Sequence, residues 1–179
     1  MEGKGSLLHQ SVQKHIYSLL PNGEAAIEYK LPGHIADIAW HTKKIIFEIQ
    51  CSPISIDTAI ARTNDYQRLG YFIVWILHQK NFNSRYLSLS ELYLRKLSTC
   101  YYTNISHATH GYIYDQNEIL QNNKRVYRSP PLILDLKNPL IHKKSLRFPS
   151  DRNEPSNLLT KSLSKWYTSL HSFFSIIKD

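Results

Sequence analysis

The stretch 43–52, KKIIFEIQCS, decides the fold. It is an apolar run of strand length interrupted by Glu48 and Gln50. Side chains alternate along a strand, so Ile45, Phe47, Ile49 and Cys51 point one way. Ile46, Glu48, Gln50 and Ser52 point the other way. A carboxylate on a buried strand face is costly unless it is paired, hydrogen-bonded or bound to a metal. The neighbouring segments must supply one of these.

Working outward, SLLHQSVQKHIYSLLPNG (6–23) places Leu7, Leu8, Val12, Ile16 and Leu19 or Leu20 at helical spacing and stops at Pro21-Asn22-Gly23. AAIEYKL (25–31) and HIADIAW (34–40) read as strands separated by Pro32-Gly33. After the central strand, SIDTAIARTNDYQRLG (55–70) reads as a helix with Ser55 as its cap, Asp57 in its first turn and Gly70 at its close. YFIVWILHQ (71–79) is a continuous apolar run that suits a strand covered on both faces. Strand, helix, strand over this distance predicts a crossover into a parallel position.

SLSELYLRKL (88–97) reads as a further helix. Residues 100–147 are polar and aromatic, with weak strand signals in GYIYD and PLILDL. In 156–177, Leu159, Leu163, Trp166, Leu170, Phe173 and Ile177 share one helical face. The expected organisation is a core over 1–100, a β-rich extension packed on it over 101–147, a linker over 148–155 and an amphipathic helix over 156–179.

The chain carries 22 Lys and Arg against 14 Asp and Glu, a net charge of +8. The basic residues cluster as Lys43 and Lys44, Arg95 and Lys96, Lys124, Arg125 and Arg128, and Lys143, Lys144 and Arg147. Such a balance favours a polyanion, nucleic acid first and an anionic membrane surface second. The last helix offers a peripheral membrane contact as a minor reading. No stretch has the roughly 18 apolar residues of a membrane span, and MEGKGSLLHQ has no apolar signal core. Two cysteines, Cys51 and Cys100, point to free thiols in a reducing compartment, so a cytoplasmic location is expected. His107 and His110 have no partners at zinc spacing.

A hairpin turning about Thr42-Lys43 pairs Trp40 with Ile45, Ile38 with Phe47 and Asp37 with Glu48. The two carboxylates then meet on one face, where like charges repel. One Mg²⁺ shared between them removes the conflict. A solvated edge hairpin gives the same Asp-x₁₀-Glu-x-Gln pattern, so spacing alone leaves both readings open.

ADIAW, IIFEIQCSPIS and ARTNDYQRLGYFIVWIL together resemble the nuclease-like domain of the competence protein CoiA family, over roughly residues 5–80. The matching positions are Asp37, Glu48, Gln50, Ser52, Ile54, Ser55, Arg62, Tyr66, Trp75, Ile76 and Leu77, with His9 on the preceding helix. That family shares the plan of the PD-(D/E)XK nucleases. The resemblance implies an α/β, restriction-endonuclease-like αβββαβ core with a mixed sheet. The chain has Gly5 where the family often carries Glu, and His34 where it often carries Arg. The family's Cys-rich zinc element has no counterpart.

The resemblance implies Mg²⁺-dependent (or Mn²⁺-dependent) hydrolysis of DNA phosphodiesters in competence, uptake or recombination, with recombination or competence proteins as partners. Asp37, Glu48 and the Ile49 carbonyl would hold the metal. Gln50 would occupy the superfamily's Lys slot, with Arg62 supplying the missing positive charge. His9, Ser52, Tyr66 and Glu28 are the further candidates for substrate contact. The alternative is a nuclease fold that binds DNA or a recombination partner and cuts nothing.

Overall fold

The structure, a computed structural model, describes residues 6–137, all within one compact unit, Met1–Phe148. The expected linker over 148–155 and helix over 156–179 lie outside the described residues.

Helix α1 (Leu7–Leu19) is capped by Ser6, whose side chain accepts from the His9 amide. Three antiparallel strands follow: β1 (Ala25–Leu31), β2 (His34–Trp40) and β3 (Ile45–Gln50). The Pro32-Gly33 turn joins the first two, with Gly33 at φ +80°, the conformation a type II turn needs at that position. The hairpin register is the one the apolar pattern demands: Ile38 opposite Phe47, Ala39 opposite Ile46 and Trp40 opposite Ile45. Helix α2 (Ile56–Arg68), capped by Ser55, then crosses to β4 (Phe72–His78), which pairs in parallel with β3. The αβββαβ order is therefore present within a mixed sheet.

The sheet continues beyond this core. Helix α3 (Leu89–Leu97) leads to β5 (Thr99–Thr103), parallel to β4. Strands β6 (Ile113–Asp115), β7 (Glu118–Gln121), β8 (Lys124–Arg128) and β9 (Leu132–Ile133) follow. Strands β6 and β9 extend the seven-stranded sheet, ordered β1-β2-β3-β4-β5-β6-β9, while β7 and β8 form a separate hairpin.

Apolar side chains fill both faces. Val12 and Ile16 of α1 join Ile38, Trp40, Ile45, Phe47, Val74 and Ile76 in one layer. Ala59 and Tyr66 of α2, with Tyr93 and Leu94 of α3, join Ile46, Ile73, Trp75 and Leu77 in the other. Trp75 is fully buried and donates through Nε1 to Thr63 Oγ1 at 3.2 Å, which fixes α2 on β4.

Two residues counted among the basic clusters prove to be interior. Arg95 binds Asp115 at 2.6 Å and Glu118 at 3.2 Å. Arg125 binds Glu91 at 2.6 Å and Glu118 at 2.5 Å. Tyr102 donates to Glu91 at 2.7 Å. This buried network ties the β7–β8 hairpin to α3, so neither arginine offers its charge to a polyanion. Breaking a buried pair leaves its partner charged and unsolvated. Arg125→Met is expected to cost ~3–5 kcal/mol in urea unfolding; a loss under about 1 kcal/mol would show the network to be dispensable.

Candidate active site

Glu48 sits in the middle of the sheet on the α2 face and is only 1% exposed. Two α2 side chains one turn apart satisfy it. Tyr66 donates to Oε1 at 2.6 Å and Arg62 Nη1 donates to Oε2 at 2.9 Å. Spacing of four places both on one helix face. Burial, followed by the charge of Asp37, pushes the Glu48 carboxyl up from 4.5 to about 7, and the Tyr66 and Arg62 contacts pull it back only partly. Burial and the neighbouring Glu48 raise the Tyr66 hydroxyl in turn, so it remains a donor.

Asp37 departs from regular pairing. The β2–β3 ladder stops at Ile38 opposite Phe47, and the Asp37 side chain takes the next bond itself: Oδ2 accepts from the Ile49 amide at 2.7 Å. Oδ1 lies 3.1 Å from His9 Nε2, and the Asp37 carbonyl accepts from Gln13 Nε2 at 2.9 Å. The hydrogen bond to Asp37 raises the His9 imidazole, against the lowering effect of burial. Helix α1 thus reaches the acids through two side chains, one of which, Gln13, gave no sign in the sequence.

The other predicted residues are placed as follows. Gln50 is turned along its own strand end, donating to the Ser52 carbonyl at 2.6 Å and lying 3.4 Å from the Ser52 hydroxyl. Ser52 meets Gln50 and neither acid. Glu28 is exposed on β1 at φ +49°, where β1–β2 pairing skips from Ile27–Ile38 to Tyr29–Ala36. Its charge is felt by His9. The structure therefore brings together Asp37, Glu48, Ile49, Arg62, Tyr66 and His9, and leaves Gln50 and Ser52 at the margin. His34 enters as a support that spacing does not reveal: Nε2 is 2.7 Å from Asp65 Oδ2, and its ring tilts against Tyr66 at 5.6 Å between centroids.

A family model for the competence protein CoiA nuclease-like domain matches residues 5–138. The chain belongs to that family. The match runs past β4 and takes in β5 to β9, well beyond the roughly 5–80 over which the resemblance was legible. Comparison with curated proteins and with solved structures returns no match. The CoiA-like domain gives the chain a nuclease-like, competence-related role. No helix among the described residues is long and apolar enough to cross a membrane.

The donor set can be tested against a metal. Among the described residues no group of three or more His, Cys, Asp and Glu is arranged to hold an ion. The available ligands are two carboxylates, Asp37 and Glu48, and the Ile49 carbonyl. That carbonyl leaves β3 on the same side as the amide that meets Asp37, since both groups of one strand residue point to the same neighbour. Such an all-oxygen set, completed by waters, suits Mg²⁺ or Mn²⁺ and not Zn²⁺. The raised Glu48 carboxyl fits the same chemistry, because a divalent cation stabilises the ionised form against the burial and the Asp37 charge that hold it up.

Both shifted groups give the same pH dependence. Glu48 and His9 hold their protons more tightly in the folded protein than in the unfolded chain. Their contribution is present at low pH and is lost as pH rises through the folded values. In EDTA, the urea midpoint is expected to fall between about pH 5 and about pH 8. Glu48→Gln should flatten that slope, and Mg²⁺ at the upper end should raise the midpoint of the native protein only. A native midpoint that climbs over this interval would contradict the burial account of Glu48.

Proposed function

We propose that this CoiA-like domain hydrolyses DNA phosphodiester bonds with Mg²⁺ or Mn²⁺ held by Asp37, Glu48 and the Ile49 carbonyl. The observation that carries it is the buried Glu48 beside Asp37, gripped by two α2 side chains and bearing a carboxyl raised to about 7. When bound, the cation polarises a phosphoryl oxygen and lowers the pKa of an attacking water. The protein's own residues do the rest. The Tyr66 hydroxyl fixes the rotamer of Glu48. The Ile49 amide and His9 fix the two oxygens of Asp37. Arg62, bound to Glu48 and 41% exposed along its side chain, supplies positive charge where a phosphoryl group develops negative charge. Gln50 brings no charge, and it must leave Ser52 to orient a water.

A second reading is a DNA-binding or recombination accessory protein that cuts nothing. Three contacts favour it: both Glu48 oxygens already have donors, and Gln50 donates to the Ser52 carbonyl. Titrating Mg²⁺ and Mn²⁺ against single-stranded, duplex and branched DNA separates the two. Metal-dependent cleavage is expected, lost at least about 100-fold in Glu48→Ala and Asp37→Asn. Arg62→Ala is expected to slow it about 10²–10³-fold. Salt-sensitive DNA binding without cleavage, unchanged by Glu48→Ala, would leave the accessory role.

A further inference from the structure

Asp37 is a β2 residue that neither neighbouring strand holds. The β1–β2 ladder skips it, and the β2–β3 ladder stops one residue later, at Ile38. Its placement therefore falls to three other bonds. The Ile49 amide donates to Oδ2 at 2.7 Å, and His9 Nε2 lies 3.1 Å from Oδ1. Both act on the carboxylate. Gln13 acts on the main chain, where its Nε2 donates to the Asp37 carbonyl at 2.9 Å. A carbonyl at a ladder gap needs such a donor, because a main-chain acceptor left unpaired in the interior is costly. Gln13 is only 5% exposed, so water does not readily replace it. The phase of α1 is fixed by Val12 and Ile16, both fully buried in the core layer. Residues 9 and 13, one turn apart, then reach Asp37 together. Glu48 is held in the same manner by Arg62 and Tyr66, four apart on α2.

We infer that Gln13 is a positioning residue for the metal site: by holding the Asp37 carbonyl it fixes the main chain at the ladder gap, and so sets where the Asp37 carboxylate meets a divalent cation. Gln13 touches neither the cation nor the substrate, and it acts through Asp37. The geometry of the site is then set by the packing of α1 as well as by the sheet. Removing a group that stands behind a metal ligand typically weakens metal binding about 10–100-fold. A purely structural glutamine behaves differently, because its loss lowers unfolding stability and leaves metal affinity intact. The inference rests on the metal-dependent nuclease reading of the two acids and adds to it the residue that orients one of them.

The test uses the full chain and two readouts. Mn²⁺ affinity is measured by electron paramagnetic resonance, and amide exchange is followed by NMR in EDTA. Gln13→Met keeps the length of the side chain and removes the donor. It is expected to weaken Mn²⁺ binding at least about tenfold. The Ile49 amide, which donates to Asp37, should exchange about tenfold faster relative to the Phe47 amide of the regular ladder. Gln13→Asn keeps the amide on an arm one methylene shorter and should shift both readouts in the same direction, so the test stands even where Gln13→Met melts early. Val12→Ala is the control: it loosens α1 beside Gln13 without touching Asp37, and should lower the melting temperature while leaving Mn²⁺ affinity unchanged. Equal Mn²⁺ affinity in Gln13→Met and Val12→Ala, with Ile49 exchange unmoved relative to Phe47, overturns the inference. Cleavage assays with Mg²⁺ separate the two levels. Cleavage and Mn²⁺ binding by the native chain with neither readout sensitive to Gln13 remove the positioning role alone. Ile49 exchange that depends on Gln13, in a chain that neither binds Mn²⁺ nor cuts DNA, removes the metal-dependent reading and leaves Gln13 as the holder of Asp37.

Discussion

The structure depends on one buried carboxylate. Glu48 lies on a strand with neighbours on both sides and helices over both faces, where an ionised group without partners is untenable. Its requirements fix the element that follows. Helix α2 must return across the sheet with Arg62 and Tyr66 turned inward, and it must not slide. Thr63, between them, meets the Trp75 indole, and Ala59 packs flush against the sheet. Crossover, helix phase and core packing thus answer a single electrostatic demand. A buried, hydrogen-bonded carboxylate carries a local cost that an apolar residue of similar volume would not, which is the kind of inconsistency expected at a functional position.

A second irregularity meets the first. Strands β1 and β2 keep one register on either side of Glu28 and Asp37, yet these two residues do not pair. Glu28 adopts φ +49°, uncommon for a residue with a side chain. Asp37 then gives its carboxylate to the Ile49 amide, replacing a main-chain bond by a charged one. No residue is inserted, yet the faces switch across this point: Ile27, Ile38 and Trp40 pack in one layer, whereas Tyr29, Leu31 and Ala36 pack in the other. The sheet opens where the two acids approach each other.

Much of this was legible. Alternation in residues 43–52 and 34–40 fixes both the strands and their register, because a slip of one residue would turn Ile38 and Phe47 out of the core. The i, i+4 spacing of Arg62 and Tyr66 likewise places them together on the helix facing Glu48. Other features carry weaker marks. Strand β5, TCYYT, is short and half polar and follows directly on a helix. The β7–β8 hairpin turns at Asn122-Asn123, both at positive φ, a two-residue turn signal that the basic surroundings obscure. Arg95 and Arg125 read as surface charge because their partners Glu91, Asp115 and Glu118 come from different elements. Long-range ion pairing leaves no periodic trace, and neither does the hold of Gln13 on the Asp37 carbonyl.

The site also shows how a neutral residue can stand where nucleases of this plan carry Lys. A lysine on the β3 strand would bring its charge from the sheet, held close to the acids. Here Gln50 is occupied with Ser52, and the positive charge comes from Arg62 on the helix. The move changes more than the residue's position. A strand lysine supplies one point charge, whereas a helix-borne guanidinium can keep one donor on Glu48 and present others to a phosphate. Its long side chain is partly solvated, so it can follow the substrate while Tyr66 continues to hold the acid. On the nuclease reading, Arg62 both steadies Glu48 and supplies the charge that a strand lysine would bring.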